Sequence, residues 1–213
     1  MSQRKFPSFS RSFAQEHTVT EAVILKHLAY KVGRSKNWRD DKQWFYESTK
    51  ELQKKFHTLA LPPSTRISGR WAKAILEIGN YNPWKQDRTR WFHVPKEFRN
   101  AVESDTITFN SDDAVHHKIT AAVLLHNLRH NLKRKLKKSE GTNVVHEMSP
   151  AVLSKIKPTT GRSILPFSES TIKATLKTLV EKGVILKTST TKPEYTLPPS
   201  EMQDLRREAK LKS

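Results

Sequence analysis

Apolar residues recur three and four apart from Val19 to Val32, in VTEAVILKHLAYKV, and again from Ile119 to Leu132, in ITAAVLLHNLRHNL. That spacing puts one apolar stripe along a helix and predicts a helix in each place. The two segments also match each other at a separation of 100 residues: Thr20, Ala22, Val23, Leu25 and Leu28 recur as Thr120, Ala122, Val123, Leu125 and Leu128. The match continues. Trp44-Phe45-Tyr46-Glu47 aligns with Val144-Val145-His146-Glu147, a short β-prone run in both copies. TKELQKKF (49–56) then aligns with SPAVLSKI (149–156), two predicted helices with Thr49 and Ser149 as N-caps and Pro150 at a first helical position. Leu52 and Phe56 match Val152 and Ile156 on one face.

The separation then grows to 105, placing about five extra residues in the loop KPTTGRSILPF of the second copy. Beyond it, STRISGRWAKAILEIGN (64–80) matches SESTIKATLKTLVEKGV (168–184). Ile67, Trp71, Ala74 and Ile75 fall on Ile172, Leu176, Leu179 and Val180. Both stretches read as helices, with an apolar stripe of Ile67, Trp71, Ala74, Ile75 and Ile78 in the first, and with Gly79 and Gly183 as C-terminal stops. After each, the pattern changes to period two. Residues 80–94 and 184–197 read as strand, polar turn, strand, with Phe92, Val94 and Pro95 answering Tyr195, Leu197 and Pro198.

Each copy is thus helix, short strand, helix, helix and hairpin, which predicts a mainly α fold with small β-hairpins (α+β) in two tandem domains. The boundaries follow. Residues 1–17 read as a flexible basic arm, 18–95 as the first domain, 96–113 as a linker, 114–198 as the second domain and 199–213 as a basic C-terminal tail, helical or frayed. The linker carries Glu97, Glu103, Asp105, Asp112 and Asp113, an acidic patch expected to face away from any polyanion.

Charge sharpens this picture. Thirty-nine Lys and Arg against 21 Asp and Glu give the 213 residues a net charge of +18. Residues 1–100 hold 20 basic against 9 acidic side chains and the remainder 19 against 12, so both copies are basic. A folded chain so charged attracts polyanions, nucleic acid foremost. There is no cysteine, hence no disulfide or thiolate metal site, which fits the cytoplasm, where binding to DNA would make the chain nucleoid-associated. No apolar run approaches the roughly 20 residues of a membrane span, and MSQRKFPSFSRSFAQ lacks the apolar stretch of a secretory signal.

The order helix, strand, helix, helix, hairpin resembles the winged helix-turn-helix. WFYESTKELQKKF and SESTIKATLKTLVEKGVILK are similar to segments in phage and plasmid replication and regulatory proteins, and two such modules in one small basic chain resemble plasmid replication initiators. The loop at 157–167 departs from that pattern, being long for a tight helix-turn-helix corner. The resemblance implies that the third helix of each copy enters the major groove and that the hairpin wing lies on the backbone. In the first copy it then assigns DNA contact to Thr65, Arg66, Gly69, Arg70 and Lys73 on the helix and to Lys85, Arg88 and Arg90 around Trp84 on the wing. In the second it assigns Ser170, Thr171, Lys173, Ala174, Lys177 and Thr178, with Lys187 and Lys192 on the wing. Polar residues opposite an apolar stripe are also what any solvated helix shows.

Other chemistry has little footing. There is no GxxxxGK[ST] loop. His126 and His130 lie four apart without an HExxH, and His116-His117 stand alone, so both pairs read as exposed polar residues rather than metal ligands. Tyr30, Tyr46 and Tyr195 fall in apolar patterns that read as core, and the aromatics form no exposed stacking series. The run NLRHNLKRKLKK has six Lys or Arg residues that either grip phosphates or simply face solvent.

The sequence therefore reads as a DNA-binding protein without catalytic residues or a cofactor. Double-stranded DNA is its expected partner, at a replication origin of a phage, plasmid or similar element. An operator is the alternative target. A homodimer and replication proteins of the host or element are further partners the reading admits. In a reading of another class, the chain is an interaction protein aimed at host machinery.

Overall fold

A computed structural model describes residues 7–48, 50–52, 54, 67, 70–84, 89–103, 105–138, 144–157 and 162–210. The chain is α+β with small antiparallel sheets and forms two compact units, Met1–Val115 and His116–Ser213.

The first unit is organised by a helix at Val19–Arg34. It begins in a capping box: Thr18 Oγ1 accepts from the Glu21 N–H at 3.2 Å, and Glu21 Oε2 accepts from the Thr18 N–H at 2.9 Å. Ala22, Val23, Leu25, Leu28, Ala29 and Val32 are buried along it. A four-stranded sheet follows, made of β2 (Asn37–Arg39), β3 (Lys42–Glu47), β4 (Glu77–Gly79) and β5 (Arg90–His93), in the order β2-β3-β5-β4. Asp40 and Asp41, with φ of 50° and 58°, turn the chain from β2 to β3, a left-handed pair that Asp tolerates well. Phe45 lies opposite Phe92, and the Lys31 ammonium of the helix sits 5.7 Å from the Phe45 ring, which marks the inner face of the sheet.

Around this frame are elements that the repeat did not contain. β1 (Ser8–Ser10) pairs antiparallel with β6 (Thr106–Thr108), and Phe9 and Phe109 are fully buried with ring centroids 6.1 Å apart. α1 (Arg11–Glu16) buries Phe13 and Ala14 before α2, the Val19–Arg34 helix. A helix at Lys96–Glu103, α4, is tied to α2 by Lys26, whose ammonium donates to the Val102 carbonyl at 2.9 Å and pairs with Glu103 at 2.7 Å. Residues 7–16 are therefore no flexible arm, and 96–108 are no linker. The reason is apolar burial at Phe9, Phe13, Val102, Ile107 and Phe109.

The first copy's third helix, α3, spans Arg70–Ile75 among the described residues, and Leu76 already leaves it. Glu77–Gly79, expected as the helix end, is a strand, because its backbone pairs with β5. Ile78 is consequently a half-exposed strand residue, and the buried alanine of the stripe is Ala72 while Ala74 is exposed. Thr49 lies outside the described residues. Beside it, Ser48 Oγ accepts from the Glu51 N–H at 3.2 Å.

The helical run Ser111–Lys138, α5, leads from the first unit into the second and breaks at Lys118 (φ 72°, ψ 161°). Beyond the break it buries Ala121 to Leu125, Leu128 and Leu132. β7 (His146–Glu147) leads to α6 (Pro150–Ser154), where Ser149 takes the cap position without a side-chain cap bond. A short hairpin, β8 (Ile156–Lys157) and β9 (Arg162–Ser163), occupies the long loop. α7 (Glu169–Glu181) starts at Ser168, whose Oγ accepts from the Thr171 N–H at 3.2 Å, and ends at Gly183 with φ 67°. β10 (Leu186–Lys187) and β11 (Glu194–Thr196) form the hairpin, and the sheet order is β10-β11-β7. The tail to Lys210 is a helix, α8 (Pro199–Lys210), with Met202, Leu205 and Ala209 buried. Arg129–Glu201 at 3.0 Å and Lys133–Glu208 at 2.9 Å pin it to α5.

The two units share one connection. The strand after the long helix (β3 or β7) pairs with the second strand of the later hairpin (β5 or β11), which pairs with the first (β4 or β10). Aligned on this pairing, Trp91 rather than Phe92 answers Tyr195, because Tyr46 faces Trp91 and His146 faces Tyr195.

Candidate nucleic-acid interface

The best-described surface is the outer side of α7. Ile172, Leu176 and Leu179 turn inward, and Ser170, Thr171, Lys173, Ala174, Lys177 and Thr178 are all exposed. Their polar groups are partly engaged. The Ser168 hydroxyl contacts those of Ser170 at 3.0 Å and Thr171 at 2.7 Å, and Thr178 Oγ1 donates to the Ala174 carbonyl at 3.1 Å. Lys177 lies 3.8 Å from Glu181 with both side chains largely exposed, a pair worth little in water.

On the second hairpin Lys187 and Lys192 are exposed. Thr188 Oγ1 donates to the Glu194 carbonyl at 3.3 Å and the Lys192 N–H donates to Ser189 Oγ at 3.1 Å, which closes the turn that carries both lysines.

In the first unit Thr65, Arg66, Gly69, Lys85 and Arg88 lie outside the described residues. Arg70 and Lys73 are helical in α3, with side chains outside the described set. Arg90 is exposed at the start of β5, in register with Glu47.

The aromatics depart from expectation. Tyr30 and Tyr46 are half exposed rather than core, and Trp38 and Trp84 are 60% and 74% exposed. An α-helical or strand pattern only says which residues share a face. It does not say how far a neighbouring element reaches over them. Tyr81, set aside from the core, instead packs edge-on against Trp44 at 5.0 Å and Trp91 at 5.4 Å on the sheet's outer face. Tyr46 adds to this cluster 4.7 Å from Trp91. The Trp91 indole N–H donates to Asn82 Oδ1 at 2.8 Å, and Asn82 Nδ2 donates to the Thr89 carbonyl at 2.7 Å, so the base of the first hairpin is held fast. Burial, and then a hydrogen bond to Asp40, raise the Tyr81 hydroxyl above its ordinary pKa. Trp84 stands on this anchored loop.

A further group includes the His116-His117 pair, which the sequence presents only as exposed polar residues. His116, His117 and Lys118 line a groove of about 280 Å³ together with Thr175, Thr178 and Lys182, beside Ala174 of α7. No local spacing signals it, since its two walls are more than fifty residues apart in the chain. Among the described residues no three His, Asp or Glu side chains converge as a metal site, and no helix is long and apolar enough to cross a membrane.

Comparison with protein-family models, with curated proteins and with solved structures found no match.

Proposed function

We propose that this chain is a tandem winged-helix protein that binds double-stranded DNA in a sequence-specific way, with a replication origin of a phage, plasmid or similar element as its target. The observation that carries the reading is the strand order common to both units, in a chain of net charge +18. In each unit the last helix before the hairpin precedes a two-stranded wing. In the second unit that helix turns an exposed row of Ser170, Lys173, Ala174 and Lys177 to solvent. Small residues between lysines let a helix approach base edges closely while the charges hold the backbone. Phosphate contacts from both units supply most of the affinity in this reading, and the helices supply the preference.

The test is selection of sites from a random duplex pool, followed by titration of the winner and a scrambled duplex at two salt concentrations. A recovered motif bound about a thousandfold more tightly than the scramble supports the reading. Tandem motifs point to an origin, and a single inverted pair to an operator. Replacing Arg66, Arg70 and Lys73 with Ala is expected to cost about 1–3 kcal/mol at each base-contacting position. No change in that variant removes the first unit's helix from the interface.

A second reading draws on the exposed Trp38, Tyr46 and Trp84. Aromatic faces among basic residues suit unpaired bases. Tighter binding to single-stranded RNA or DNA than to any duplex would put this reading first. Salt-sensitive binding without preference for any of these would favour a protein partner.

A further inference from the structure

The groove beside α7 has the chemistry of an anion site. Two lysines, two imidazoles and two threonines line it, and no carboxylate does. Lys118 and Lys182 make no ion pair among the described residues, whereas Lys177 on the same helix has Glu181. His117 Nδ1 is shut off from solvent without a hydrogen-bond partner. An imidazole nitrogen so placed is costly until a ligand atom or water meets it. The break at Lys118 also starts a fresh helical segment, and Lys118 at the break and Ala121 just after it form part of the wall. The positive end of that helix dipole adds to the lysines.

The size narrows the ligand. At about 280 Å³ and open to solvent, the groove lies at the small end of ligand pockets. It suits a phosphoryl group better than a whole nucleotide. Its position narrows the ligand further. Ala174, Thr178 and Lys182 follow one another at intervals of four, so they form a single row on α7 that borders the groove. Ser170 heads the same row, and Lys173 and Lys177 lie to one side of it on the exposed part of α7. A duplex seated on that face brings one strand's backbone against the row.

We infer that this groove is a phosphodiester site, in which His117, Lys118 and Lys182 hold one backbone phosphate of the duplex that α7 reads. The inference rests on the duplex-binding reading and adds to it a contact from the segment that opens the second unit.

The test uses the full chain, 15N-labelled and titrated with inorganic phosphate, alongside Lys182→Gln and His117→Gln. Lys138→Gln, at the far end of α5, is the control. Circular dichroism of each variant verifies the fold. The site predicts saturable shifts at the Thr175, Thr178 and Lys182 amides, lost in the first two variants and kept in the control. It also predicts that a selected duplex displaces the phosphate, and that Lys182→Gln lowers the slope of log affinity against log salt by about 1. Shifts spread over the surface lysines without saturation would overturn the site. If phosphate binds in the groove but a bound duplex leaves it there, the ligand is a free anion. The backbone assignment then falls while duplex binding stands. If no duplex binds at all, the functional reading fails, and the phosphate titration alone then shows a plain anion site in place of the one inferred.

Discussion

A Cβ on Gly79 would stand 2.7 Å from a ring carbon of Tyr81 and 3.1 and 3.2 Å from two ring carbons of Trp44. The sequence presents Gly79 as a helix stop. The structure uses its missing side chain to let Tyr81 lie between Trp44 and Trp91. Gly79→Ala is expected to push Tyr81 off the sheet and cost the first unit about 1–3 kcal/mol, the usual penalty of overpacking. Denaturant unfolding and the loss of near-ultraviolet aromatic dichroism would measure it. An unchanged midpoint would mean that the ring cluster yields freely. His146 gives a second prediction at this scale. Burial, and secondarily Lys135, hold its imidazole below the ordinary value of 6.5, with Glu147 opposing. The folded state therefore binds the proton less readily than the unfolded chain. Stability from the neutral ring is present above about 6.5 and is lost as pH falls through the folded pKa. His146→Gln should flatten the fall in the second unit's unfolding midpoint below that pH, as a pH series of denaturation curves would reveal. A slope identical to that of the parent chain would assign the acid sensitivity elsewhere.

Single elements divide sharply in how well they could be read. α2 and α7 were legible from their apolar stripes, and α7 also from its stop. Thr18 with Glu21 and Ser168 before Glu169 open them, and Gly183 closes the second in a left-handed conformation. Glu77–Gly79 was not legible, since Ile75 and Ile78 keep helical spacing while the deciding factor is pairing with β5, more than ten residues away. The Asn37–Arg39 strand was also missed, though the Asp40-Asp41 pair is a recognisable turn signal. β1 and β6 gave almost no signal. Each has three residues, and they meet across about a hundred positions of chain. Their weight is nonetheless large. Phe9→Ala removes a fully buried ring and is expected to cost the first unit about 3–5 kcal/mol. Resistance to a protease that cuts near residue 10, compared in both proteins, would register the loss of this clasp. Unaltered resistance would mean that the strand pair is dispensable.

The whole molecule was legible as a repeat and illegible as two finished units. Periodicity finds what the copies share, namely the long helix, the third helix and the hairpin. What completes each core lies outside the shared part and differs between them. The first unit uses β1, α1, α4 and β6, and the second uses α8. Apolar stripes show that such a cover is needed without showing which segment supplies it. The exposed side of α7 followed the same rule. Lys173, Ala174 and Lys177 were found from one helix, whereas His116 to Lys118 joined them only through folding. The chain passes from one unit to the other inside a helical run, Ser111–Lys138, with a single break at Lys118. No unstructured spacer intervenes there. Under the proposed duplex binding, a joint that short would keep the second unit at high local concentration once the first has landed, so two modest grips multiply rather than add. It also limits the spacings between paired sites that both units can grasp at once. On that proposal the length of the joint would act as a ruler for the DNA.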